Sequence, residues 1–157
     1  MLQRIQTIWL LLAGLTIFGL FLFPYLQYID VAGLGRKLLV TGSYTAVNGE
    51  SMKEESFILQ TLATIVLGLL PVYIIFKFKD RKTQIKLVFL EIVLIILFAL
   101  WLYSSSSSIL AATSQYLSAS NIGVGFFLLP VAIIFLSMAL GGIRKDEQLI
   151  KSAERLR

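Results

Sequence analysis

Glu91 is the residue whose type and setting most invite chemistry. It is a lone carboxylate inside residues 85–103, a run that is otherwise almost wholly apolar. A helix rises about 1.5 Å per residue and the hydrocarbon core of a bilayer is about 30 Å thick, so a run of this length can cross a membrane with the carboxyl inside it. An ionisable side chain there costs roughly 2.5–3.5 kcal/mol on insertion scales, which predicts that this helix turns Glu91 toward other helices. Two roles follow: a proton or cation relay, or an uncharged carboxyl held by a hydroxyl that only fixes packing. Counting inward by helical rise puts Tyr73 and Ser137 at a similar depth, and Arg4 can snorkel toward it from the start of the chain. The predicted intramembrane polar cluster is therefore Glu91, Tyr73, Ser137 and Arg4, with Tyr73 the preferred partner.

Other chemistry is scarce. The chain has no Cys and no His, which removes thiolate and Ser-His or Cys-His nucleophiles and the usual ligands of zinc, haem and iron–sulfur clusters. Asp30, Glu50, Glu54 and Glu55 could in principle gather around a hard cation, but their spacing matches no calcium loop and helix capping or solvated charge is expected of them. Ser104 to Ser108 are five serines in a row in a connection without lysine, so a Ser-Lys pair is excluded there and a loop or frayed helix end is predicted. No catalytic residue, metal or cofactor is expected, and the chain does not read as an enzyme.

The elements that must position Glu91 come from hydropathy. Of 157 residues, 57% are hydrophobic and 15% charged, far from the balance of a soluble domain. Four apolar runs, residues 5–23, 57–78, 85–103 and 122–143, predict an all-α membrane protein with four transmembrane helices in a single domain spanning residues 1–157. The first run is too long for a signal-peptide core and lacks a small-residue cleavage site, so it reads as a retained helix. In it, Gly14, Thr16 and Gly19 are small enough to admit a neighbour without forming a GxxxG pair. In the second, Gln60, Thr64 and Gly68 recur every fourth residue, a polar and small stripe suited to interhelical packing, and Pro71 threatens a kink. Asn121 is placed to cap the fourth run, and Pro130 lies inside it.

Residues 24–56 are the longest polar connection. Two β-prone segments, 26–31 and 37–41, flank Gly33-Leu34-Gly35 and predict a small hairpin-like loop, while Ser51 and Glu54 fit a capping box that would start the second helix early. The tail, residues 144–157, places Leu149, Ile150, Ala153 and Leu156 along one helical face, an amphipathic helix that would dock on a partner after bending at Gly141-Gly142.

Eleven of the fourteen Lys and Arg residues fall on one side of this arrangement, and only Arg36, Lys37 and Lys53 on the other. The positive-inside rule then places both termini in the cytoplasm and the hairpin loop outside. Within the basic turn, Lys79, Arg81, Lys82 and Lys86 are the residues expected to meet lipid headgroups. The net charge of +5 is thus topogenic, and nucleic acid is not an expected partner.

Three stretches together carry a family resemblance: Met1-Leu2-Gln3-Arg4-Ile5-Gln6-Thr7-Ile8-Trp9-Leu10, the turn over residues 79–86, and the closing block that begins Ile143-Arg144-Lys145-Asp146-Glu147. The chain resembles, over its full length, the four-span inner-membrane family of Bacteroidota bacteria catalogued only as a domain of unknown function. That resemblance implies a fold and a compartment, the bacterial inner membrane, and no activity. The expected role is an accessory, scaffold or assembly subunit that binds other membrane proteins in the lipid bilayer. The alternative is a small ion-coupled transporter or channel that uses Glu91.

Overall fold

In the computed structural model, the backbone is described for residues 2–47 and 50–155, and side chains for residues 5–47, 50–150 and 152. Helix α1 runs over Leu2–Phe18 and is prolonged by a 3-10 turn, Gly19–Phe21, whose Gly19 carbonyl takes the amides of Leu22 and Phe23 just before Pro24 ends the run. Helices α2 (Ile58–Phe76), α3 (Arg81–Ala112) and α4 (Val124–Arg155) follow. Among the described residues three segments are long and apolar enough to cross a membrane: Ile58–Phe76, Arg81–Ala112 and Val124–Ile150. The apolar part of α1, Ile5–Phe21, is shorter.

The helices form an antiparallel ring in which α1 packs on α2 and α4, and α3 closes the ring from the other side. Small residues set the α1–α2 approach. A methyl on Gly14 would stand 3.0 Å from the Gly68 carbonyl oxygen, and one on Gly68 would stand 2.7 Å from the Phe18 ring. The predicted stripe is therefore real, since Gln60, Thr64, Gly68 and Pro71 are all buried along one face of α2. Trp9 of α1 stacks on Phe135 of α4, ring centroids 5.8 Å apart. Lipid tails are as apolar as leucine, so close packing of this kind, more than water exclusion, holds such a bundle together.

The all-α expectation is overturned by a four-stranded antiparallel sheet in the connection between α1 and α2. Its strands are β1 (Leu26–Ile29), β2 (Gly35–Leu39), β3 (Gly42–Val47) and β4 (Glu50–Ser56), paired in sequence order. The expected hairpin is its first half. Asp30 N donates to the Leu34 carbonyl and Gly33 adopts φ +78 in the turn, a conformation glycine takes without strain. The second half defeats the capping-box reading, because Ser51 and Glu54 lie on β4 with Ser51 opposite Ala46, and Phe57 rather than Ser51 precedes the first turn of α2. The sheet leans on the bundle through Thr61, whose hydroxyl donates to the Val40 carbonyl at 2.9 Å. It is also tied to the entry of α4, where Leu26 bridges Ile122 and the amides of Gly123 and Gly125 donate to the carbonyls of Tyr25 and Pro24.

Two helices run on where sequence predicts a break. α3 continues through Ser104 to Ser108 to Ala112, with the Ser106 hydroxyl returned to the Leu102 carbonyl at 2.8 Å, which satisfies a residue that would otherwise compete with the helix. α4 passes through Gly141-Gly142 without interruption, so the predicted bend is absent and the tail is the end of one 32-residue helix. Asn121 does not act as the expected cap: it closes a 3-10 turn, Ala119–Asn121, and its amide turns back to the Tyr116 carbonyl.

Candidate functional site

The predicted intramembrane cluster does not assemble. Glu91 lies on the buried face of α3, between Val88 and Ile95, with no exposed surface, and neither carboxylate oxygen has a hydrogen-bond partner among the described residues. Tyr73 is instead half exposed on the outside of α2, with Lys77 Nζ 5.4 Å from its ring centroid. Ser137 also faces outward and donates to its own helix at the Ile133 carbonyl, 2.8 Å away. The Arg4 side chain lies outside the described residues. Helical rise alone does not bring side chains together, because azimuth decides contact. The buried faces pass through Pro71 and Ile74 on α2, and through Leu136 and Ala139 on α4, which turns Tyr73 and Ser137 away.

A polar set that the sequence signalled only through Gln60 and Thr64 forms near the sheet. Tyr25 donates its phenol proton to Gln60 Oε1 at 3.3 Å, and Gln60 Nε2 donates to Ser105 Oγ at 3.3 Å, so one buried amide links the entry to β1, α2 and the serine run of α3. The Thr64 hydroxyl donates to the Gln60 carbonyl at 2.8 Å. Burial holds the Tyr25 phenol above its usual range, against a smaller opposite effect of Gln60. On the sheet, two of the acids weighed as cation ligands converge on a cation of the chain's own: Arg36 pairs with Asp30 at 2.9 Å and with Glu54 at 3.0 Å. No group of three acids that could hold a metal occurs among the described residues.

At the opposite, basic end, Gln6 Nε2 donates to Asp146 Oδ2 at 2.7 Å and Arg81 Nη1 to the Asp146 carbonyl at 3.1 Å. These bonds tie the last third of α4 to the starts of α1 and α3. Asp80 caps α3, accepting from the Thr83 amide at 3.2 Å and from its hydroxyl at 2.6 Å, and the Thr83 hydroxyl is the main reason its carboxyl is held below the usual range. Of the predicted headgroup residues, Lys79, Lys82 and Lys86 are exposed whereas Arg81 is half-buried and turned to the bundle. Of the predicted docking face, Leu149 and Ile150 are exposed, while Leu156 and the side chain of Ala153 lie outside the described residues.

Beyond the sheet end sits a surface that sequence reading missed. Gln115 Nε2 donates to the Ile29 carbonyl at 2.9 Å, which brings the α3–α4 connection against the β1–β2 turn. Around this bond Ile29 is 67% exposed, Val31 81% and Tyr116 92%. A 32-residue α3 is about 48 Å long, roughly 18 Å more than a hydrocarbon core is thick, and Gln115 and Tyr116 follow its C-terminal end.

A family model described as Domain of unknown function (DUF4293) matches residues 2–156. No curated protein and no solved structure matches the chain.

Proposed function

We propose, for a chain that belongs to the DUF4293 family, a non-catalytic role as an accessory, scaffold or assembly subunit of the bacterial inner membrane that binds another membrane protein through its sheet end. The observation that carries this reading is the patch of Ile29, Val31 and Tyr116. Apolar side chains facing lipid need no explanation, but large apolar side chains exposed at the sheet end, which this reading puts outside the bilayer, mark a protein contact. The Gln115 bond pre-arranges the patch, which lowers the ordering cost of binding. In this reading α1 is a fourth crossing, the basic end is cytoplasmic and the sheet is outside, which the distribution of Lys and Arg supports.

The test is photocrosslinking in cells from a reactive residue placed at Val31 or Tyr116, with Glu50 on the fully exposed β4 edge as control. A discrete adduct from the two patch positions and none from Glu50 is expected. No adduct at either patch position, or the same adducts from Glu50, overturns the reading.

A second reading, a proton relay at Glu91, is favoured by one fact: the carboxyl is buried without a partner among the described residues. Against it, the buried face of α3 between Glu91 and the Gln60–Ser105 link consists of Ile95, Phe98 and Leu102, which offers no polar step through the bundle. Proton flux into proteoliposomes that disappears on Glu91→Gln would revive it.

A further inference from the structure

At the basic end, α1, α2 and α3 enclose a cavity of about 330 Å³. Its polar wall is made by Gln6, Thr7, Arg81 and Gln84 and its apolar wall by Ile8, Ile75 and Phe78. Ile8 and Phe78 are each half exposed on the flank of the bundle, so the apolar wall continues into the surface that acyl chains would cover. Gln6, Ile75, Arg81 and Gln84 lie within about one turn of the ends of their helices, Thr7 and Ile8 within two, and Phe78 in the turn between α2 and α3, near the level at which a spanning helix meets the headgroups.

Arg81 is the one cation among the described residues that line this cavity. Its one hydrogen bond at Nη1 goes to a backbone carbonyl, which fixes the guanidinium without neutralising it, and it forms no ion pair among the described residues. No acid is present among the described residues that line the cavity. Asp80, the one acid in the adjoining turn, is committed to Thr83. A planar guanidinium with free N–H groups, half-buried and held in place, is suited to a phosphate oxygen pair.

We propose that this cavity is a specific binding site for an anionic glycerophospholipid, whose phosphate is held by Arg81 and whose upper acyl chain lies along Ile8, Ile75 and Phe78. The apolar wall and its opening on the lipid flank select a membrane lipid over free phosphate. The exposed Lys77, Lys79, Lys82 and Lys86 at the same end of the bundle disfavour a headgroup that carries its own ammonium. The site lies at the opposite end of the bundle from the partner patch and does not depend on it.

The full-length chain in detergent, titrated with phosphatidylglycerol or phosphatidylcholine, provides the test by native mass spectrometry. Wild type should retain phosphatidylglycerol about tenfold better than phosphatidylcholine, as one charge-assisted contact provides. Arg81→Gln should bring the two lipids to parity. Ile8→Trp, which fills the cavity from a half-exposed position and leaves Arg81 in place, should do the same, and it keeps the test decisive if Arg81→Gln fails to fold. The triple change Lys79→Gln, Lys82→Gln, Lys86→Gln should keep most of the preference. Loss of preference in the triple variant with retention in Arg81→Gln or Ile8→Trp would show diffuse surface attraction and overturn the site. Competition by millimolar inorganic phosphate would show a soluble-anion site and overturn the lipid assignment.

Discussion

Gln6 and Asp146 stand 140 positions apart in the chain and share a 2.7 Å hydrogen bond in which the amide donates to the carboxylate. Both are buried, and with Arg81 on the Asp146 carbonyl they close the ring of helices at the basic end. This contact, together with the unbroken passage through Gly141-Gly142, makes residues 144–146 part of the bundle rather than a tether.

Asp146→Ala should lower the stability of the bundle by about 1.5–3 kcal/mol, because it leaves the buried Gln6 amide without an acceptor while Arg81 keeps its carbonyl. Asp146→Asn, which retains an acceptor oxygen, should cost less. Thermal unfolding of the two variants in the same detergent checks the order.

Gly125 and Gly141 should respond to alanine with opposite signs. A methyl on Gly125 would run into the Phe23 carbonyl, and two stretches of backbone cannot move apart without losing the bond from Gly125 N to Pro24 O, so a loss of about 1–3 kcal/mol is expected. Nothing lies within 4 Å of a methyl on Gly141, and Gly141→Ala should stabilise α4 by about 0.5–1 kcal/mol. Had Gly141 been a hinge, alanine there would have been harmful. Unfolding midpoints of the two variants decide it.

What was legible in the sequence was what one segment could reveal alone. The runs behind α2, α3 and α4 are long enough to be read by hydropathy, and the Gln60–Thr64–Gly68 spacing gave the packing face of α2. Pairings between segments were not legible. β4 carries no apolar alternation to betray a strand, since it is exposed along its whole length, and Ser51 with Glu54 mimicked a helix start. The signal that could have found it was Asn48-Gly49 between two polar runs, a dipeptide strongly favoured in two-residue hairpin turns. The azimuths of Tyr73 and Ser137 depend on which neighbours their helices choose, and the Gln115–Ile29 bond on a fold of the whole outer end.

The topology follows from single cysteines, which the native chain lacks, so each label reports one position. A cysteine at Val31 or Tyr116 should react in intact cells with a maleimide that does not cross the inner membrane. A cysteine at Lys79 should react only after permeabilisation. Equal labelling of Lys79 in intact cells would contradict a cytoplasmic basic turn.

Glu91 gives the sharpest prediction, because its surroundings reverse the expected sign. With Tyr73 as a partner, Glu91→Leu would have orphaned a phenol and weakened the bundle. Tyr73 is on the outside, and no described residue reaches either carboxylate oxygen, so the side chain is a desolvated polar group without compensation. Thr64 behaves otherwise: that fully buried hydroxyl is satisfied by the Gln60 carbonyl one turn away, whereas the Glu91 carboxyl, carried further from the backbone, meets no partner among the described residues. Glu91→Leu should therefore stabilise the protein by about 1–3 kcal/mol, in line with the replacement of buried charged groups by apolar ones of similar size. Glu91→Gln should bring no such gain, because its amide adds donors that are equally unmet. The measurement is thermal unfolding in detergent for wild type and both variants. Loss of stability in Glu91→Leu together with a neutral Glu91→Gln would reveal a hydrogen-bond partner that the described residues do not include. A gain in stability in Glu91→Leu paired with a loss of function in cells would mean that the carboxyl is kept at a cost to the fold, as groups with a working role commonly are.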